Sequence, residues 1–139
     1  MDDPHDLQRF VEAQNPVYRR VCAELAAGGK CSHWMWFMFP QLEGLGRSAV
    51  AKHFGIASRA EAEAYWRHPV LGPRLSECTE LVLAVEGRTA LQIFGSPDDA
   101  KFRSSMTLFT QAAPSEPVFE RALAKYFGGE PDVRTLALW

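Results

Sequence analysis

Apolar residues recur at intervals of three and four along most of the chain, and capping residues and glycines break the pattern into segments. Leu7, Phe10, Val11 and Gln14 share one face of a first segment opened by Asp3-Pro4. Asn15-Pro16 restarts the chain, with Asn15 suited to cap a second helix and Pro16 to its first position. Tyr18, Val21, Cys22 and Leu25 form its stripe, and Gly28-Gly29 ends it. Ser48 is expected to cap a helix closed by Gly55. Ser58 and Glu61 have capping-box spacing for a helix through Trp66. After His68-Pro69, the residues Leu71, Leu75, Cys78, Leu81, Val82 and Val85 line one side of a longer helix ended by Gly87. Thr89 caps a short turn closed by Gly95. Ser96-Pro97-Asp98-Asp99 then reads as cap, first-turn proline and first-turn carboxylates, ahead of Phe102, Ser105, Met106 and Phe109 on one face. Val118, Phe119, Ala122, Leu123, Tyr126 and Phe127 mark a helix that stops at Gly128-Gly129, and Asp132 caps a final turn.

No run of β-branched residues alternates at period two. The pattern therefore predicts an all-α fold, a single compact multihelical domain over residues 1–139 with about seven or eight short helices. Leu25, Phe37, Leu75, Leu81, Met106, Phe109 and Phe119 are expected to be buried together.

One stretch stands apart. Lys30–Gln41 reads K-C-S-H-W-M-W-F-M-F-P-Q and holds two of the four tryptophans. Trp34 through Pro40 are all apolar and mostly aromatic. Ser32 can cap a short helix that stops before Pro40. A short apolar run also fits a buried strand, but no other segment offers a strand partner, which favours helix.

Composition narrows the functional classes. The 139 residues are 47% hydrophobic and 23% charged, with a formal charge of −2. That length suits one domain able to bury a core without disulfides or metal. The slight acidity argues against a general nucleic-acid or membrane-surface role, which needs a basic surplus. Cys22, Cys31 and Cys78 are odd in number and widely spaced, and read as reduced buried thiols of a cytoplasmic protein. The acidic, polar Met1–Asp6 is not a signal sequence.

With these motifs in place, the chain resembles a bacterial family filed as domain of unknown function 1810. The resemblance rests on Lys30–Gln41, on Gly44–Ser48 (G-L-G-x-S), on His68–Leu75 (H-P-x-L-G-x-R-L) and on Ile93–Phe109, with Asp98 and Lys101 in register. It covers nearly the whole chain. It implies a compact all-helical fold and no established activity, so it carries over no catalytic residue.

The residues themselves offer candidates. Trp34, Trp36, Phe37 and Phe39 suit a core, or a wall on which a planar ligand stacks. His33 suits a hydrogen-bonded imidazole, or a ligand contact that titrates near neutrality. Lys30 beside the aromatic wall can hold a phosphate, while Ser32 and Gln41 bracket the stretch. Lys101 and Ser105, four apart on a helix, share a face beside Phe102 and Met106. Arg74 is a candidate anion clamp, being permanently charged and forked. The G-L-G-R-S turn leads into a helix start and is a weak anion signal alone. Cys31-x-His33 with Cys78 or His68 lacks recognised ligand spacing, so no metal site is expected, and no cofactor is implied.

The functional expectation is a cleft of Lys30, Ser32, His33, Trp34, Trp36, Gln41, Arg74, Lys101 and Ser105 that binds, and in one version processes, a small anionic ligand such as a nucleotide or an ADP-ribose-like molecule. Binding would then weaken as pH rises above about 7, when His33 loses its charge. The alternative is a protein-interaction or regulatory module in which the same aromatics are core. The residues leave reaction, protein partners and oligomeric state open.

Overall fold

The computed structural model describes residues 2–139; Met1, at the head of the acidic N-terminal stretch, lies outside them. Ten helices follow in order: α1 (Gln8–Gln14), α2 (Tyr18–Ala26), α3 (Met35–Met38), α4 (Ala49–His53), α5 (Arg59–Arg67), α6 (Leu71–Ala84), α7 (Ala90–Phe94), α8 (Asp98–Ala112), α9 (Pro117–Phe127) and α10 (Val133–Leu138). The all-helical expectation holds, but the count is ten, not seven or eight. The surplus lies in α7 and α10, of five and six residues. Helices that short barely complete an apolar period, so the sequence reads both as turns. Among the described residues the only β feature is an isolated parallel bridge, Leu42 with Ile56. Among the described residues no helix is long and apolar enough to cross a membrane.

Helix α8 runs through the middle, packed against α5, α7, α9 and α10. Its Phe102, Met106 and Phe109 are fully buried. Around Phe102 the aromatics are layered: Phe94 stacks on it at 4.6 Å and Phe39 meets it edge-on at 5.1 Å. Farther along α8, Phe109 lies 5.3 Å from Tyr65 and 5.8 Å from Phe119. Tilted and edge-on pairs of this kind add to plain burial. Of the expected core, Leu25, Leu75, Met106, Phe109 and Phe119 are buried, whereas Phe37 and Leu81 are half-buried at its margin. The three cysteines are free, and Cys31 is exposed, against the expectation of buried thiols.

Four expected caps form. Ser48, Ser58 and Asp132 accept from the backbone of Ala51, Glu61 and Thr135, and Thr89 with Gln92 makes a full capping box. At Ser58 the return bond is displaced: Glu61 accepts from the N–H of Ala57 and pairs with Arg9 at 2.6 Å. Asn15, Ser32 and Ser96 do not cap. The residues at those helix starts are Val17, Trp34 and Pro97, without a side-chain cap bond. At α8 the first-turn carboxylates of Asp98 and Asp99 take over the favourable interaction with the helix start.

The aromatic stretch is steered by Glu24. Its carboxylate accepts from the N–H of Cys31 (2.7 Å), the N–H and hydroxyl of Ser32 (3.0 and 2.5 Å) and the indole of Trp34 (3.0 Å). Ser32 is thus bound back to α2 instead of capping α3. Partial burial pushes the Glu24 carboxyl up, but the bonds from Ser32, Cys31 and Trp34 outweigh it and hold it at about 2, against an ordinary 4.5.

Phe109→Ala is expected to cost about 3 to 5 kcal/mol in denaturant melts, as for a fully buried aromatic. Ser58→Ala should cost about 1 kcal/mol, while Ser96→Ala should leave the midpoint in place. Glu24 binds its proton less readily folded than unfolded. Its contribution is therefore complete above about pH 4.5 and lost as pH falls toward about 2. Acid titration of Glu24→Gln should show a flatter limb in that window; an unchanged limb would refute the assignment.

Candidate functional site

A cleft of about 450 Å³ opens between α8 and the turn that leads into α4, with the start of α10 at one end. Three pieces of local structure build it. Ala100, Lys101 and Ser104 project from α8 at helical spacing and, with Pro97 at its cap position, form one side. The facing turn carries Gln41, Leu45, Gly46, Arg47 and Ser48. It is tied down where the N–H of Ile56 meets the carbonyl of Gln41 (2.9 Å) and the N–H of Glu43 meets the carbonyl of Ile56 (2.8 Å). Gly46 is needed for closeness: a Cβ there would lie 2.6 Å from that of Ala51. The third piece is Asp132 with Arg134, held against α8 because Ser104 donates to Asp132 at 3.0 Å and Asp132 N–H donates to Thr107 at 2.8 Å.

Trp36 forms an apolar wall with Leu45, Ala51 and Pro97. The Lys101 ammonium lies 4.4 Å from the Trp36 ring centroid, a cation–π distance. Asp98 holds that ammonium at 3.4 Å and the Lys30 ammonium at 2.8 Å, and Lys30 in turn lies 5.2 Å from the Trp34 ring. Arg103 donates to the carbonyl of Glu130 at 3.0 Å and reaches its carboxylate at 3.5 Å. Arg47 and Arg134, both exposed, form no side-chain hydrogen bond or ion pair among the described residues. Among the described residues the one carboxylate on the lining is Asp132. Partial burial pushes its carboxyl up, but bonds from the Thr135 and Ser104 hydroxyls and the Thr135 N–H, with the Arg134 charge, hold it below the usual carboxylate range. It stays ionised at neutral pH.

The cleft gathers three of the residues singled out in the sequence: Trp36, Gln41 and Lys101. Lys30 stands one step behind, sharing Asp98 with Lys101. The rest are elsewhere. Trp34 is buried at 1% exposure, its indole spent on Glu24, and Ser32 is bound to the same carboxylate. His33 is exposed and does not line the cleft. Arg74 donates to Gln14 (3.3 Å) and Asn15 (2.9 Å) and lies over Tyr18, tying α6 to the end of α1. Ser105 is fully buried, with no partner for its hydroxyl.

Arg47, Arg103 and Arg134 line the cleft but are absent from the candidates that the sequence offers. Arg47 was signalled by the G-L-G-R-S turn and Arg103 by the basic run from Lys101; Arg134 has no local signal, since only the docking of α10 on α8 brings it in. For Ser105, an unpaired buried hydroxyl is costly, so Ser105→Ala should leave the melting temperature unchanged or raised. A loss above about 1 kcal/mol would mean that the hydroxyl has a partner.

The comparisons agree with this all-helical architecture. No curated protein matches the chain. A solved structure, the conserved hypothetical protein Rv1873 from Mycobacterium tuberculosis, superposes with a TM-score of 0.97 at 59% identity, covering 98% of this chain and 97% of that one. The family described as "Protein of unknown function (DUF1810)" matches residues 4–139. Its match spans all four motifs on which the resemblance rests, and the chain belongs to that family.

Proposed function

We propose that the protein binds a small anionic ligand, of the nucleotide or ADP-ribose-like class, in the cleft between α8 and the turn ahead of α4. The observation that carries this reading is a local reversal of charge. In a chain of net charge −2, Arg47, Lys101, Arg103 and Arg134 line one cleft with Asp132 as the only carboxylate among the described residues. The volume, about 450 Å³, is that of a small-molecule site. Trp36, Leu45, Ala51 and Pro97 supply an apolar surface for the uncharged part of the ligand, and Gln41 an amide able to donate and accept. Of the sequence candidates, Trp36, Gln41 and Lys101 are the proposed ligand contacts, with Lys30 supporting Lys101 through Asp98.

A second reading is a protein-interaction or regulatory module without catalysis. It draws on the apolar side chains that α10 leaves in solvent: Val133 is 73% exposed and Leu138 54%.

A thermal-shift series with ADP-ribose, AMP and inorganic phosphate separates the two. A ligand that binds only the folded chain adds about 2.7 kcal/mol of stability at a hundredfold excess over its Kd. At least one of these anions should raise the Tm, and Lys101→Ala should reduce the shift. No shift with any of them favours the interaction module. No histidine lines the cleft, so ADP-ribose binding should be flat in pH through neutrality. A fall above about pH 7 would return His33 to the site.

A further inference from the structure

We infer that the cleft is built for a diphosphate and not for a single phosphate, with Arg47 and Arg134 each taking one phosphoryl group; this rests on the anion-binding reading above. The argument starts from which cations are already committed. Lys101 is held by Asp98 and by the Trp36 ring. Arg103 is held by Glu130 and lies 5.4 Å from the Phe127 ring. Lys30 is spent on Asp98 at 2.8 Å, with only 8% of its side chain exposed. Five cations at and behind the cleft, Lys30, Arg47, Lys101, Arg103 and Arg134, stand against three carboxylates, Asp98, Glu130 and Asp132. The difference, five less three, is two positive charges; among the described residues Arg47 and Arg134 are the two of these cations that form no hydrogen bond or ion pair, Arg134 acting on Asp132 only through its charge.

They arise from separate elements, the turn ahead of α4 and the first residues of α10, yet both line the same cleft. A guanidinium offers a planar fork that matches two oxygens of one phosphoryl group. Two such forks on different elements match two linked phosphoryl groups better than one. Size points the same way. A lone phosphate would leave most of about 450 Å³ to water, whereas a diphosphate bearing a further group would reach the apolar wall at Trp36 and Leu45. The occupant is thus a diphosphate ester with an apolar or planar substituent, such as a nucleoside diphosphate.

The test is calorimetric titration at fixed salt with ADP, AMP and inorganic phosphate. ADP should bind at least about tenfold more tightly than AMP, as one additional charge-assisted fork would give. Arg47→Ala and Arg134→Ala should each weaken ADP by about tenfold and AMP much less, bringing the two affinities together. Arg121→Ala serves as the control. Arg121 pairs with Glu80 outside the cleft at 3.1 Å, so it removes the same charge and should leave the ADP-to-AMP ratio intact. Equal affinity for ADP and AMP in the parent chain would overturn the diphosphate inference and leave the anion reading standing. So would a ratio that Arg121→Ala lowers as much as the cleft variants do. Failure of ADP, AMP and phosphate alike to bind would overturn both.

Discussion

The path of the chain after α2 depends on one carboxylate. Glu24 gathers two backbone N–H groups, a hydroxyl and an indole N–H from Cys31, Ser32 and Trp34. Those bonds fix the entry to α3, and the single turn of α3 then sorts its residues by angle. Trp34, Met35, Met38 and Phe39 go into the core, and Trp36 is left half-buried at the cleft. Lys30, just upstream, is fixed at both ends: its N–H meets the carbonyl of Ile93 at 2.7 Å and its ammonium meets Asp98. Aromatic burial alone would not choose which tryptophan faces inward. The polar bonds make that choice, and the packing around Phe39, Phe94 and Phe102 follows from it.

Asp98 does for α8 what Glu24 does for α2. It bridges Lys30 and Lys101, and the side chains of Lys30 and Asp98 are 8% and 16% exposed. A pair so shielded is poor grounds for extra stability, because desolvation offsets the attraction. Its effect is directional: it keeps the Lys101 ammonium over Trp36 instead of letting a long, flexible chain sweep through solvent.

Much of the fold was legible because helix signals are local. The caps at Ser48, Ser58, Thr89 and Asp132 depend on residues three apart, and each one forms. The failures share a cause. Asn15, Ser32 and Ser96 are good capping residues, but at all three helix starts a different residue occupies the cap position, and Ser32 is taken by Glu24. The candidate site was legible to the extent that its parts are long motifs. Trp36, Gln41 and Lys101, which line the cleft, each lie in a run that stands out in the sequence. Ser105 and Arg74 stand out by the same logic but lie away from the cleft. A helix face shared with Lys101 leads as readily into the core as to the cleft, and a forked cation serves helix packing as well as it serves an anion. Arg134 sits in an ordinary stretch, and its neighbours in space are distant in sequence.

The bridge between Leu42 and Ile56 divides the two sides of the cleft into different kinds of wall. The side on α8 is continuous with the core, so its residues cannot be lengthened or shifted without moving Phe102, Met106 and Phe109. The facing side belongs to an excursion whose two ends are stitched together by backbone bonds. Adding residues to a closed excursion costs little, since its closure entropy grows only slowly with length. One wall is therefore held by the packing of α8 and the other by the closure of a loop, so a change of length is resisted by the core on the first side and only by loop closure on the second.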